Sequence, residues 1–266
     1  MIFLTQYFAY IFIVQGGRLE PTTLIPPLHF FLLSFSTILI AAAGYIINDY
    51  YDIKIDLVNK PGRIVIGRII TRRQALFIHA AFNAIALAIG LYVSWKIALF
   101  FGGCGLLLWF YSNYLKRTIL WGNISISLLS AATIWVITFY YHQSSHLVYL
   151  YFTFGFFISL IREIIKDMED VKGDATYGCR TLPIVWGFRK TKILVLCILV
   201  LFCLILLVES SSVSPGIRSI SYYLLLFPTF YLGFKIVMAD KQKDYFLLSQ
   251  FCKWFMVLGI LSLGIA

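Results

Sequence analysis

Twelve carboxylates occur in 266 residues, and eight of them fall in two short windows. One window holds Asp49, Asp52 and Asp56; the other holds Glu163, Asp167, Glu169, Asp170 and Asp174. Within them a spacing repeats, since Asp49-x2-Asp52-x3-Asp56 matches Asp167-x2-Asp170-x3-Asp174. Offsets of three and seven put three carboxylates on one helical face. Such groups repel one another, and at the C-terminal end of a helix the macrodipole opposes them as well. A cation relieves both effects. Mg²⁺ suits such a set, because it takes one or two carboxylates and completes its shell with water and phosphate oxygens. Asn48, four residues before Asp52, adds a neutral carbonyl on the same face. An acidic helix end flanked by lysine is commonly just a solvated cap. Two clusters with identical spacing at the ends of apolar helices fit that reading poorly, since ionisable groups at membrane depth usually serve function.

Basic residues follow each cluster. Lys60, Arg63 and Arg68 come after the first, Lys172 and Arg180 after the second, and Lys116 and Arg117 close a third polar stretch beginning at Tyr111. Metal ions alone do not call for so many bases; a diphosphate does, because lysine and arginine neutralise phosphate oxygens. Aromatic residues make up 18% of the chain, and Tyr45, Tyr50, Tyr51, Trp109, Phe110, Tyr111 and Tyr114 lie within a turn or two of these polar positions. Their faces could stabilise the allylic cation left when a diphosphate departs. Helix packing and the interfacial belt account for most such rings taken singly.

The elements that must carry these groups are membrane helices. The chain is 61% hydrophobic and 13% charged, with a mean hydropathy of +0.87. Lipid, rather than a soluble core, accommodates that much apolar side chain. Apolar runs near 28–48, 74–94, 97–115, 120–141, 147–166, 190–208, 221–239 and 246–265 are long enough to span, and a shorter run at 2–15 makes a ninth. Helices satisfy their own backbone in lipid, as isolated strands do not. With the N-terminus cytoplasmic, eighteen lysines and arginines fall in inner loops and helix ends, and three (Arg18, Lys96 and Arg218) in outer ones. The positive-inside rule selects this orientation. It also explains the net charge of +10 without nucleic acid. The five cysteines and four histidines show no metal-ligand spacing. The apolar N-terminus reads as part of a helix rather than a cleavable leader.

The two acidic signatures resemble those of the UbiA-type intramembrane prenyltransferases. Asn48-Asp-Tyr-Tyr-Asp52-Ile-Lys-Ile-Asp56, then Asn59-Lys60-Pro61-Gly62-Arg63, looks like the first. Arg162-Glu-Ile-Ile-Lys-Asp167-Met-Glu-Asp170-Val-Lys-Gly-Asp174, then Gly178-Cys-Arg180-Thr-Leu-Pro183, looks like the second. Tyr111 to Lys116, continued by Gly122-Asn123, resembles the family's third polar stretch. The resemblance covers nearly the whole chain. It implies an all-α polytopic membrane protein, one domain over 1–266, with nine transmembrane helices in a bundle around a central cavity. A cytoplasmic cap would form from two Asp-rich loops, about 48–73 and 163–189.

Carried onto this sequence, the family pattern makes Asn48, Asp49, Asp52, Asp56, Asp167, Asp170 and Asp174 the Mg²⁺ residues, and the six aspartates the catalytic ones. Lys60, Arg63 and Lys116 would contact diphosphate. The candidate substrate-binding set is Asn48, Lys60, Arg63, Tyr111, Lys116, Arg162, Lys166 and Arg180. The wording of the second signature is most similar to the digeranylgeranylglyceryl phosphate synthase branch. That branch moves a geranylgeranyl group from its diphosphate onto the free hydroxyl of a prenylated glycerol phosphate lipid. Prenylation of an aromatic acceptor (hydroxybenzoate, dihydroxynaphthoate or homogentisate) is the alternative. The first loop departs from the usual wording, with Arg63-Ile64-Val65-Ile66-Gly67-Arg68 where relatives often carry Arg-Pro and then Ser-Gly. Two rival classes differ in kind. A cation transporter needs acids near the midplane or along a pore, and an intramembrane aspartyl protease needs two buried aspartates and no divalent metal. The expected location is the inner (plasma) membrane.

Overall fold

The computed structural model describes residues 1–17, 24–211 and 217–264; the side chains of Arg63, Ser211 and 217–222 are outside the described set. Arg18, the side chain of Arg218 and most of the Ser210–Gly216 connection therefore lie outside the described residues. Everything regular among the described residues is helical: α1 (Ile2–Phe8, continuing as a wider π-turn over Ala9–Val14), α2 (Leu28–Asn59), α3 (Arg72–Val93), α4 (Trp95–Asn113), α5 (Trp121–Tyr140), α6 (His146–Thr176), α7 (Leu182–Ser211), α8 (Ile217–Met238) and α9 (Gln242–Ser262). Single 3-10 turns at Pro61–Arg63 and Leu115–Arg117 punctuate two connections. Seven of the helices, α2 to α7 and α9, are long and apolar enough to cross a membrane; Ile2–Val14 and Tyr223–Met238 are shorter apolar helices.

Helix boundaries follow local chemistry. Thr71 caps α3 in a reciprocal box, accepting from the Gln74 N–H at 3.2 Å while its own N–H donates to Gln74 Oε1 at 2.8 Å. One residue, Ser94, separates α3 from α4. The α7 helix is interrupted at Gly187, whose φ of 77° suits a residue without a Cβ. The apolar pattern is not one-sided, and that is the membrane's mark. Phe77, Phe227 and Trp254 are more than 70% exposed.

Inside, two apolar clusters form. One is centred on α6, with Ile158, Ile161, Ile164 and Ile165 fully buried, and takes in residues of α1, α5, α7, α8 and α9. The other joins α1, α2, α4 and α5 around Phe30, Leu33, Phe101 and Ile137. The helices that carry the two acidic signatures, α2 and α6, pack against each other between these clusters, and α1 touches α2, α5 and α9 to close the ring.

The acidic segments are not loops. At 1.5 Å per residue, the 32 residues of α2 extend ~48 Å. That overshoots a hydrocarbon core of ~30 Å, so the helix emerges with its signature still wound. The same holds for the 31 residues of α6. The expected loops at 48–73 and 163–189 therefore shrink to the short connections after Asn59 and Thr176, because intact helical hydrogen bonding continues past the apolar run.

Candidate active site

A cavity of about 420 Å³ opens among α1, α2, α4, α5, α6 and α9. Its wall has two characters. Ile40, Phe100, Leu108, Leu129, Phe154 and Met256 make it apolar along most of its length, while Asn48, Asp56, Lys116, Asp167, Asp170 and Asp174 make one end charged. A slot of this kind suits a ligand with a long apolar part and a polar head.

On α2 the face turned to the neighbouring helices runs Asn48, Asp52, Asp56 and Asn59 rather than through Asp49, which is exposed and outside the cavity wall. Asp52 is only 3% exposed. Its Oδ2 accepts from Asn48 Nδ2 at 2.7 Å and from the Lys116 ammonium. Burial by itself would lower the Lys116 pKa. The Asp52 carboxylate outweighs it, by its charge and by the hydrogen bond it accepts, so the ammonium is held above its ordinary range and stays charged. Asn48 Oδ1 is buried and has no hydrogen-bond partner.

On α6 the matching face runs Glu163, Asp167, Asp170 and Asp174. Asp170 Oδ2 accepts from Lys60 Nζ at 2.6 Å, while Asp170 Oδ1 is buried without a partner. Asp167 Oδ2 accepts from Asn123 Nδ2 at 2.8 Å, and Glu163 binds Arg162 at 2.6 Å and Lys166 at 2.9 Å. The two faces are stapled together by Asn59, whose Nδ2 donates to the Asp170 carbonyl at 2.9 Å and whose Oδ1 accepts from the Gly173 N–H at 2.8 Å.

The structure thus gathers most of the candidates: Asn48, Asp52, Asp56, Lys60, Tyr111, Lys116, Arg162, Lys166, Asp167, Asp170 and Asp174 lie at or beside the charged end. Arg180 does not join them; its side chain is exposed, and its backbone N–H donates to the Arg117 carbonyl at 3.0 Å. The Arg63 side chain lies outside the described residues. Among the described residues no three His, Cys, Asp or Glu side chains stand close enough to hold a metal ion by themselves. Lys60 and Lys116 take up two of the carboxylates instead. Two buried acceptor atoms without partners, Asn48 Oδ1 and Asp170 Oδ1, are hard oxygen donors of the type Mg²⁺ selects, and in that respect the residues fit such an ion.

Sequence reasoning passed over Asn59 as a staple, Glu163 as the partner of two cations, and Lys253, which lines the cavity from α9. The only sequence signal for Lys253 was a charge inside an apolar run.

Lys116 owes its place to Gly122. A Cβ there would come within 2.9 Å of the Leu115 carbonyl and 3.0 Å of Lys116 Cα, both backbone atoms that have little room to retreat. Gly122→Ala is expected to cost about 1–3 kcal/mol of stability by overpacking and to shift the Lys116 turn away from Asp52. Thermal unfolding in detergent, with substrate turnover measured in parallel, checks this; an unchanged melting point together with wild-type turnover would show that the close approach is immaterial.

The sequence pattern of the UbiA prenyltransferase family matches residues 7–264. Over 182 residues the chain is 34% identical to the digeranylgeranylglyceryl phosphate synthase of Korarchaeum cryptofilum, covering 68% of this chain and 61% of that one. It is 36% identical over 178 residues to the synthase of the same name from Methanospirillum hungatei, covering 64% and 61%. The chain thus matches about three-fifths of the length of these curated relatives. Among solved structures, one concerned with the biosynthesis of digeranylgeranylglyceryl phosphate synthase in membranes superposes with a TM-score of 0.75 at 22% identity, covering 99% of this chain and 92% of that one. A UbiA homolog from Archaeoglobus fulgidus bound to GPP and Mg²⁺ superposes at 0.70 with 15% identity, covering 99% and 96%. These likenesses establish the fold.

Proposed function

The chain belongs to the UbiA prenyltransferase family and is a multi-pass integral membrane protein, and from that premise we propose that it transfers a geranylgeranyl group from its diphosphate to the free hydroxyl of a prenylated glycerol phosphate lipid, with Mg²⁺ as cofactor. The observation that carries the proposal is the cavity itself. Its apolar length ends in two facing acidic helices that bear buried, unpartnered oxygens. The similarity to digeranylgeranylglyceryl phosphate synthases at 34–36% identity supports the choice of acceptor. The whole chain, 1–266, is read as one transmembrane domain of nine helices, with α1 and α8 as the two shorter spans. This reading takes the acidic end to be cytoplasmic, as the eighteen-to-three distribution of basic residues supports, and the membrane to be the inner (plasma) membrane.

Each residue then has a task. Asn48, Asp52, Asp56, Asp167, Asp170 and Asp174 would hold Mg²⁺, with the exposed Asp49 at the edge of the set. Bound there, the ion would stabilise negative charge on the departing diphosphate. Lys116 and Lys60, paired with Asp52 and Asp170 in this structure, would bring positive charge to the same oxygens. Arg63 and Tyr111 complete the expected donor contacts, and Arg180, exposed away from the charged end, is left out of them. The apolar wall excludes water from the allylic centre. The acceptor hydroxyl loses its proton as the new C–O bond forms, and the nearby carboxylates are the bases at hand.

Radiolabelled geranylgeranyl diphosphate offered to membranes with prenylated glycerol phosphate, 4-hydroxybenzoate, dihydroxynaphthoate or homogentisate tests this reading. Product on the glycerol lipid is expected with Mg²⁺ and none with chelator. Product on an aromatic alone would keep the transferase and overturn the acceptor.

A further inference from the structure

The end of the cavity away from the acids is walled by aromatic rings. On α6 the lining residues run from Asp167 through Glu163, Ser159 and Gly155 to Tyr151 in steps of four, so one helical stripe follows the slot. At 1.5 Å per residue, Phe154 stands ~20 Å from Asp167 along that stripe and Tyr151 ~24 Å. There Tyr151 Oη and Ser262 Oγ stand 2.9 Å apart, which ties α6 to α9.

One turn nearer the acids, the Phe154 ring lies against the backbone of Gly259 on α9. A Cβ at 259 would stand 2.1 Å from Phe154 Cε1, 2.2 Å from Cζ and 3.0 Å from Cδ1. Gly259 sits inside α9 without a positive φ, so what it supplies is space and not backbone freedom. Other rings hem Phe154 in. Phe255 lies 5.4 Å away, Phe202 5.9 Å and Tyr151 6.5 Å, centroid to centroid. The side that these rings leave open is the cavity, whose wall Phe154 forms. A methyl group at 259 would therefore drive the ring into the slot.

Resting on the reading of this chain as a prenyltransferase, we infer that Phe154, seated on Gly259, sets the longest prenyl chain that the cavity takes. A donor held by its diphosphate at the acids lays its chain along the α6 stripe, and the last prenyl unit meets this ring. Each unit added before that point gains apolar contact, and a unit beyond it has no room. Phe154 is the specificity-determining residue in this scheme, and Gly259 is the positioning residue that keeps its ring out of the slot. A glycine that only lets two helices approach would affect every donor alike.

The test is steady-state transfer by the full-length chain in lipid nanodiscs with Mg²⁺, using farnesyl, geranylgeranyl and pentaprenyl diphosphates in turn. Gly259→Ala is expected to lower kcat/KM for the geranylgeranyl donor roughly ten- to a hundredfold relative to the farnesyl donor, the scale on which an apolar pocket discriminates by size. Phe154→Ala should bring the pentaprenyl donor into use, and Phe154→Leu, which keeps more of the packing, should do so in part. The variant carrying both alanines should recover geranylgeranyl transfer, because without the ring the new methyl displaces nothing. Damaged helix packing would not be rescued in that way. An equal loss on every donor in Gly259→Ala, or an unchanged donor order in both Phe154 variants, would overturn the inference. The donor series is read on whichever acceptor the wild-type chain modifies, so an error in the acceptor and an error in this inference give different results. Failure of the wild-type chain with every donor would overturn the transferase reading and this inference together.

Discussion

Asp170→Ala is expected to lower prenyl transfer by about a hundred- to a thousandfold while the bundle stays folded. The magnitude is that of removing one preorganised electrostatic element from a site where charge develops. The reason for choosing Asp170 lies in its two oxygens. One accepts from Lys60 at 2.6 Å, and the other is buried without a partner. Alanine removes the unpartnered acceptor together with the carboxylate that fixes Lys60. Lys60 is about a quarter exposed, so the ammonium left behind can turn to water, and the stability cost is small. Asp52→Ala removes the corresponding carboxylate of the first signature but differs in stability. Asp52 is the buried partner of Lys116, and deleting one member of such a pair strands the other, at roughly 3 kcal/mol or more. The comparison is made by labelled-product formation and thermal unfolding on both variants. Near-wild-type transfer by Asp170→Ala would remove the second acidic signature from the chemistry.

Lys116→Met is expected to reduce kcat by about a hundredfold and to raise the donor KM, with the acceptor KM unmoved. Lys116 lies on a 3-10 turn outside the spans, wedged between Asp52 and the start of α5 by Gly122. Asp52 keeps its ammonium charged despite burial. A fixed positive charge that needs no reorganisation is most useful where the diphosphate gathers negative charge on leaving. A surface lysine placed only by the positive-inside rule would leave both constants intact. Kinetics with each substrate varied in turn separate these cases: an unaltered kcat would return Lys116 to a purely structural pairing with Asp52.

Much of this protein was legible without coordinates, and the reason is physical. Lipid imposes helices on any long apolar run, so hydropathy alone located the spans: α3 at 72–93 and α5 at 121–140 lie within a few residues of the runs read at 74–94 and 120–141. The repeated aspartate spacing located the polar end, because uncompensated carboxylates on one face require a cation. Where the sequence read loops, the helices simply continued, since a helix long enough to leave the membrane keeps its own hydrogen bonds. Charge alone could not show that.

Tertiary structure decided the rest. An i, i+3, i+7 pattern contains Asp49, but the rotation of α2 against α6 turns Asn48, Asp52, Asp56 and Asn59 inward and leaves Asp49 exposed. Rotation about a helix axis depends on which neighbours pack where, and no local spacing encodes it. The same holds for Asn59, which joins residues more than a hundred positions apart. It holds also for Lys253, a single charge in an apolar run until α9 brings it level with Arg162. The sequence by itself determined that this is a membrane helix bundle with one polar end where two acidic signatures and several bases meet. The packing of α2, α6 and α9 determined which side chains face the cavity, because a distance between helices is a property of the folded chain and not of any segment in it.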